Sequence, residues 1–308
     1  MSTKVVGLYM WLWPHGDSFD ERFPDPSRTA ADLVSLGMTG VIPQDGLAAP
    51  RWLAKKGVLE AFTKAGLQVA PGLGMDGQNA HRDNLQKLAD AVIACEDVPG
   101  RVFTMGNAES AWENDPDDKA LANRLADLVL AKRPTPRFTF APWWAPLFRM
   151  GRDGKGKPKK FWTHPSFPYR ELGRMIPSDM EIFPQDYGAN VPGSPYGKSL
   201  EMLAWSRDAT QYPKLGFARE RVLPATQTYQ RSLRDCIDTL LAEPTQLLWD
   251  YLGMLENMRL ALRVVKRLRE LGFVGVDAVR AFQAANSLVV DGLVGPRTLA
   301  ALGLSAPT

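Results

Sequence analysis

Short apolar runs alternate with amphipathic stretches along most of the chain. The apolar runs fall at 5–13, 40–44, 68–75, 102–109, 137–144, 181–187, 221–229 and 246–251. Between them, apolar residues recur at helical spacing near 28–37, 50–66, 80–95, 117–132, 197–210 and 231–242, with a further short stretch near 168–174. Strands alternating with helices predict parallel βαβ units. Eight such runs are the count that closes a (β/α)8 ring, so the pattern predicts an α/β fold of TIM-barrel type over residues 1–257. A doubly wound open sheet is the alternative. It often carries a Gly-rich phosphate turn after its first strand, where this chain reads Pro14-His15-Gly16-Asp17. Helix borders fit the alternation: Asp25-Pro26-Ser27 opens one helix, Gly37 ends it, and Asp115-Pro116 opens another.

Two stretches break the rhythm. In 149–165, Arg149, Arg152, Lys155, Lys157, Lys159 and Lys160 face the single acid Asp153. This segment is expected to be a long loop rising from the C-terminal face of the barrel, either solvated or forming a lip that attracts an anionic polymer. Residues 258–308 form the second break and predict a small α-helical module. A basic amphipathic helix spans 258–271 and stops at Gly272. Beyond it, Val279 and Phe282 share a helix face, Asp291-Gly292 marks a tight turn, and Pro296 starts a helix with Thr298 in its first turn. The ordered set Ala278, Val279, Phe282, Gln283, Leu288, Val290, Asp291, Gly292, Gly295, Pro296 and Thr298 resembles the peptidoglycan-binding module of bacterial and phage wall-lytic enzymes. The resemblance implies the bacterial cell wall as partner. It lacks an earlier turn between Leu271 and Val276, so the module is shortened, and helix 258–271 would serve the barrel and the module together.

Composition narrows the class. The 308 residues accommodate a barrel of about 250 plus a small module. With 45% apolar and 23% charged residues, the chain is neither disordered nor a disulfide-dense mini-protein. No apolar run approaches the roughly 18 residues of a membrane span, so no membrane insertion is expected. A net charge of +3 is too small to argue for nucleic acid, and none is expected as partner. The protein is expected to be a monomer. Cys95 and Cys236 lie in helical patterns and read as buried structural thiols made in a reducing compartment. No signal peptide is evident, so synthesis in the cytoplasm and release to the wall through a separate pore are expected.

Candidate chemistry sits at the ends of the predicted strands, where TIM barrels place their active sites. The polar residues there are Gln44-Asp45, Asp76, Asn107-Ala108-Glu109, Gln185-Asp186-Tyr187, Gln227, Tyr229 and Asp250-Tyr251, beside Trp11, Trp13, Trp143, Trp144 and Trp249. Carboxylates ringed by aromatics suit glycoside cleavage: one acid protonates the leaving oxygen, and a second carboxylate activates water or attacks the sugar. Glu109 is the candidate general acid and Asp186 its preferred partner, with Asp250, Asp45 and Asp76 as competitors. Substrate binding falls to Asn107, Trp11, Trp13, Trp143, Trp144, Tyr187, Gln227, Tyr229, Asp250 and Asp45. His15, His81 and His164 are scattered without ligand spacing, so neither metal nor cofactor is expected; His15 is either a ligand contact or a loop histidine.

A barrel with Glu at the end of strand four resembles family 25 lysozymes and, more distantly, family 18 chitinases, which implies an N-acetylated polysaccharide as substrate. Asn107-Ala108-Glu109 keeps the Glu of the D-x-E motif and replaces its Asp, and Leu8-Tyr9-Met10-Trp11 carries no acid on strand one. The resemblance therefore carries over Glu109 and Asp186 alone. Together these readings predict an endolysin-like glycosidase, of muramidase or N-acetylglucosaminidase type, acting on the glycan strands of peptidoglycan. The alternatives are a non-catalytic wall-binding or virion protein on a barrel scaffold, and a glycosidase for another polysaccharide.

Overall fold

Strand β1 (Leu8–Leu12) is buried on both faces. Tyr9 and Trp11 join one apolar cluster, while Leu8, Met10 and Leu12 join another. Such two-sided burial is what a parallel strand between a barrel interior and an outer helix layer requires. The computed structural model describes residues 6–45, 48–75, 84–108, 112, 116–142, 146–152, 155, 157–162, 164–185, 199–229 and 231–305.

The parallel ladder runs from β1 to β2 (Gly40–Pro43) and on to β3 (Gln68–Val69). On its other side β1 pairs with β10 (Gln246–Trp249), which pairs with β9 (Ala225–Gln227). A second parallel set joins β4 (Gly72–Gly74), β5 (Thr104–Asn107) and β6 (Phe138–Ala141). Two links close the ring. Gln44 bridges Gly72, and residues 182–185 bridge β9 through Ile182–Val222 and Gln185–Ala225. The same segment donates Gln185 N–H to Pro142 C=O at 2.8 Å, beside β6. Counting β3 and β4 as one stave, the ring has eight parallel staves and is a TIM barrel.

Helices of the outer layer follow the staves: α1 (Phe19–Arg22), α2 (Pro26–Ser35), α3 (Ala48–Leu53), α4 (Val58–Lys64), α5 (Leu85–Glu96), α6 (Asp118–Lys132), α7 (Tyr169–Gly173), α8 (Ser199–Ser206) and α9 (Leu233–Ala242). Several expected elements change form, each for a local reason. The single helix expected at 50–66 is two, because Gly57 adopts φ 84° and restarts the chain as α4. The third and sixth expected strands are interrupted at Pro71 and Pro184, which have no N–H for the ladder. The segment expected as a loop at 149–165 contains an antiparallel hairpin, β7 (Phe148–Arg152) with β8 (Pro158–Trp162). Helix α1 was not expected; its signal is the Ser18–Glu21 capping box.

The C-terminal part is continuous with the barrel. Helix α10 (Glu256–Glu270) buries Met258, Leu260, Ala261, Leu262, Val264, Val265 and Leu268. Arg259 pairs with Asp32 on α2 at 3.1 Å, and Arg269 donates to Leu240 C=O on α9 at 3.1 Å. Beyond α10 lie α11 (Ala278–Ala285) and α12 (Pro296–Ala301). Their residues Ala278, Val279, Phe282 and Leu299 belong to the same apolar cluster as the outer barrel layer. No helix among the described residues is long and apolar enough to cross a membrane.

Both cysteines are free and buried. Burial pushes the Cys95 thiol up to about 12 and the Cys236 thiol up to about 11. Two outcomes are expected. Thiol reagents label the native protein negligibly and label it fully on unfolding. Stability also declines above pH 9, because the unfolded chain then releases thiol protons that the fold retains. The stability these groups contribute is complete below the unfolded value of 9.0 and is lost between there and the folded values. Chemical denaturation at pH 7 and pH 10 measures it.

Candidate active site

Register decides which side chains face the barrel mouth. Aligned residues of parallel strands present side chains on the same face. Trp11 aligns with Ile42, two residues before Gln44. Trp249 aligns with Gln227, Gly74 with Asn107, and Asn107 with Ala141. Gln185 aligns with Ala225, two residues before Gln227. The inward ring at the C-terminal end of the staves is thus Trp11, Gln44, Gly74, Asn107, Ala141, Gln185, Gln227 and Trp249. Four of these are carboxamides and two are indoles. All six lie at strand ends in the sequence, but substrate binding was expected of Asn107, Gln227 and Trp11 alone, although the period-two alternation of each strand marks Gln44, Gln185 and Trp249 equally.

The carboxamides are differently engaged. Gln185 Nε2 donates to Asn107 Oδ1 at 2.8 Å and to Ala141 C=O at 3.1 Å. Trp11 Nε1, Gln44 Oε1 and Gln227 Nε2 are buried and have no hydrogen-bond partner among the described residues. An unpaired buried polar atom costs about 1–3 kcal/mol. Several at one end of a barrel make a surface whose hydrogen-bonding capacity is open to a polar ligand.

The aromatic side of the mouth is a connected set. Trp11 meets Trp249 edge-on at 4.8 Å, Trp249 meets Trp13 at 5.3 Å, and Trp13 packs on His15 at 4.3 Å. Trp11 is fully buried, so it forms the wall of the mouth and offers no open stacking face, whereas Trp13 and Trp249 are half-buried. His15 Nε2 lies 3.0 Å from Asp250 Oδ2, and Gly253 N–H donates to Asp250 Oδ1 at 2.7 Å. Asp250 is 2% exposed with both oxygens engaged, so it is sheltered from any ligand. The pairing of His15 with Asp250 spans 235 residues and has no local sequence signal. Asp45 follows β2 at the rim, and partial burial of its carboxyl raises its pKa. Tyr229 stands half-buried two residues after β9. Glu109, Asp186, Asp76, Trp143, Trp144 and Tyr187 lie outside the described residues. Among the described residues no cluster of three or more His, Cys, Asp or Glu side chains is arranged to hold a metal ion.

A second polar centre lies in the C-terminal module. Gln283, 1% exposed, donates through Nε2 to Asp291 Oδ1 and Leu293 C=O, each at 2.9 Å, and accepts Gly292 N–H at 2.8 Å. Gly292 takes φ 75°, as the Asp-Gly turn requires. Beside this knot is a groove of about 570 Å³ lined by Leu288, Val289, Asp291, Leu293, Pro296 and Arg297. Gln283→Leu leaves the Gly292 N–H without its partner and Leu293 C=O with only the longer bond from Thr298 Oγ1 at 3.3 Å. It is expected to destabilise the module by about 3 kcal/mol. Amide exchange at 288–299 read against that of α9 measures this as a local loss of protection.

Residues 266–302 match the family described as "Putative peptidoglycan binding domain". No curated protein matches the chain. Among solved structures, a GH18 chitinase from Pseudoalteromonas aurantia is similar at TM-score 0.51 and 14% identity, covering 80% of this chain and 94% of that one. A beta-1,4-D-mannanase from Cryptopygus antarcticus is similar at TM-score 0.50 and 10% identity, covering 85% of this chain and 90% of that one. At these identities the likeness is one of fold, and that fold is the TIM barrel.

Proposed function

We propose that this protein is a cell-wall glycosidase that hydrolyses the glycan strands of peptidoglycan. One observation carries the reading: a barrel whose mouth is lined by indoles and open carboxamides shares one chain with a segment matching a peptidoglycan-binding domain, and that segment packs into the apolar cluster of the barrel's outer layer. Indole faces suit the apolar faces of sugar rings. Buried donors and acceptors suit hydroxyl and acetamido groups. The module holds the enzyme on its insoluble substrate and raises the local concentration of glycan at the mouth.

Glu109 is the general acid in this proposal. It stands two residues after Asn107, beyond the C-terminal end of the fourth stave. Asp186 follows Gln185 at the end of the sixth stave and is the partner carboxylate, countering the positive charge that builds on the anomeric carbon. Asp250 is not that partner, because both its oxygens are held. The basic segment with Lys155, Lys157, Lys159 and Lys160 draws the protein to the anionic wall. An endolysin-like role, with release from the cytoplasm through a separate pore, fits this set.

The test is incubation of the full chain with purified peptidoglycan, reading both sedimentation with the wall and appearance of new reducing ends. Both are expected. Sedimentation without reducing ends would favour a non-catalytic wall-binding protein.

A further inference from the structure

We propose that His15 is the proton acceptor of the barrel mouth, with Asp250 as its positioning residue. The inference rests on the glycosidase reading above. A carboxylate only accepts hydrogen bonds, so the His15 Nε2 facing Asp250 Oδ2 at 3.0 Å is the donor. The lone pair of the neutral ring is then on Nδ1. His15 is 37% exposed while Asp250 is 2% exposed, so the imidazole, not the carboxylate, meets a ligand. The ring is oriented twice, by the carboxylate at one edge and by Trp13 at 4.3 Å across its face.

The backbone points the same way. His15 holds φ 55°, a region few residues other than glycine adopt, inside the turn closed by Asp17 N–H to Pro14 C=O at 3.1 Å. The pair also ties the first stave to the eighth, and a purely structural tie would account for the contact. It would not require that the imidazole stay open to solvent beside half-buried Trp13.

In the reaction, His15 Nδ1 takes a proton from a water molecule as the water oxygen bonds to the anomeric carbon. The bond from that carbon to the leaving glycan oxygen breaks, and the leaving oxygen takes a proton from Glu109. His15 then returns its proton to solvent and Glu109 takes one back, which closes the cycle. One displacement inverts the anomeric centre, and the charge on Asp250 stabilises the imidazolium that forms.

The test uses the full chain with purified peptidoglycan. His15→Gln is expected to lower kcat by about 100-fold or more with KM changed by less than about threefold. Asp250→Asn is expected to act in the same direction, since an amide facing Nε2 favours the opposite tautomer. Imidazole added to His15→Ala is expected to restore part of the turnover, and the first product formed is expected to be the inverted anomer. Near-normal kcat in His15→Gln, or a retained anomer, would overturn the proposal. If the variants do not fold, diethyl pyrocarbonate on the wild type decides: loss of activity should track acylation of His15 and reverse with hydroxylamine, and full acylation with activity intact overturns it. Wild type without turnover would sink the glycosidase reading and this one together. Wild-type turnover with an indifferent His15 sinks this one alone.

Discussion

Glu109→Gln is expected to lower the release of reducing ends from purified peptidoglycan by about 1000-fold while leaving sedimentation with the wall unchanged. Glutamine has nearly the same shape but cannot give a proton to the leaving oxygen, and a positioned general acid contributes roughly 100- to 10,000-fold. A loss well inside that range is expected because the polar groups of the inward ring are carboxamides, which do not replace an acid. The separation of the two readouts follows from the architecture. The wall-matching segment begins at residue 266, far along the chain from the fourth stave. A variant retaining more than about a tenth of wild-type turnover would remove Glu109 from the acid role.

The second large effect concerns where the chain is cut. Ending it after Asn257 removes seven buried side chains of α10, together with the Arg259–Asp32 pair. At about 1.5–3 kcal/mol for each large apolar side chain, that loss rivals the 5–15 kcal/mol by which a domain is stable. The fragment 1–257 is therefore expected not to fold, showing no cooperative thermal transition by circular dichroism. Ending the chain after Gly275 keeps α10 and removes α11 and α12. That fragment is expected to fold with a lower Tm, because Phe273 loses its contact with Phe282 at 5.4 Å. It should release reducing ends slowly and no longer sediment with the wall. Undiminished sedimentation would take wall binding away from the C-terminal segment.

Much of the fold was legible because two periods alternate cleanly. Inward Tyr9 and Trp11 against outward Leu8, Met10 and Leu12 mark a strand buried on both faces, and eight such runs gave the barrel. What escaped was local chemistry that overrides a pattern. Gly57 splits a helix, Pro71 and Pro184 interrupt staves, and the basic stretch pairs with itself, 148–152 antiparallel to 158–162. In the site, Asn107 and Gln227 could be read from strand ends. Gln44 and Gln185 could be read there too, but their place in one inward ring follows only from the register between staves. The His15–Asp250 pair could not, because adjacency of the first and eighth staves exists only once the ring closes.

Mass analysis of the soluble fragments that the wild-type protein releases from purified peptidoglycan shows which bond is hydrolysed. Muropeptides ending in a new reducing sugar, with their stem peptides intact, are expected. Free stem peptides beside uncut glycan strands, or a wall-bound protein that releases nothing, would contradict glycan hydrolysis.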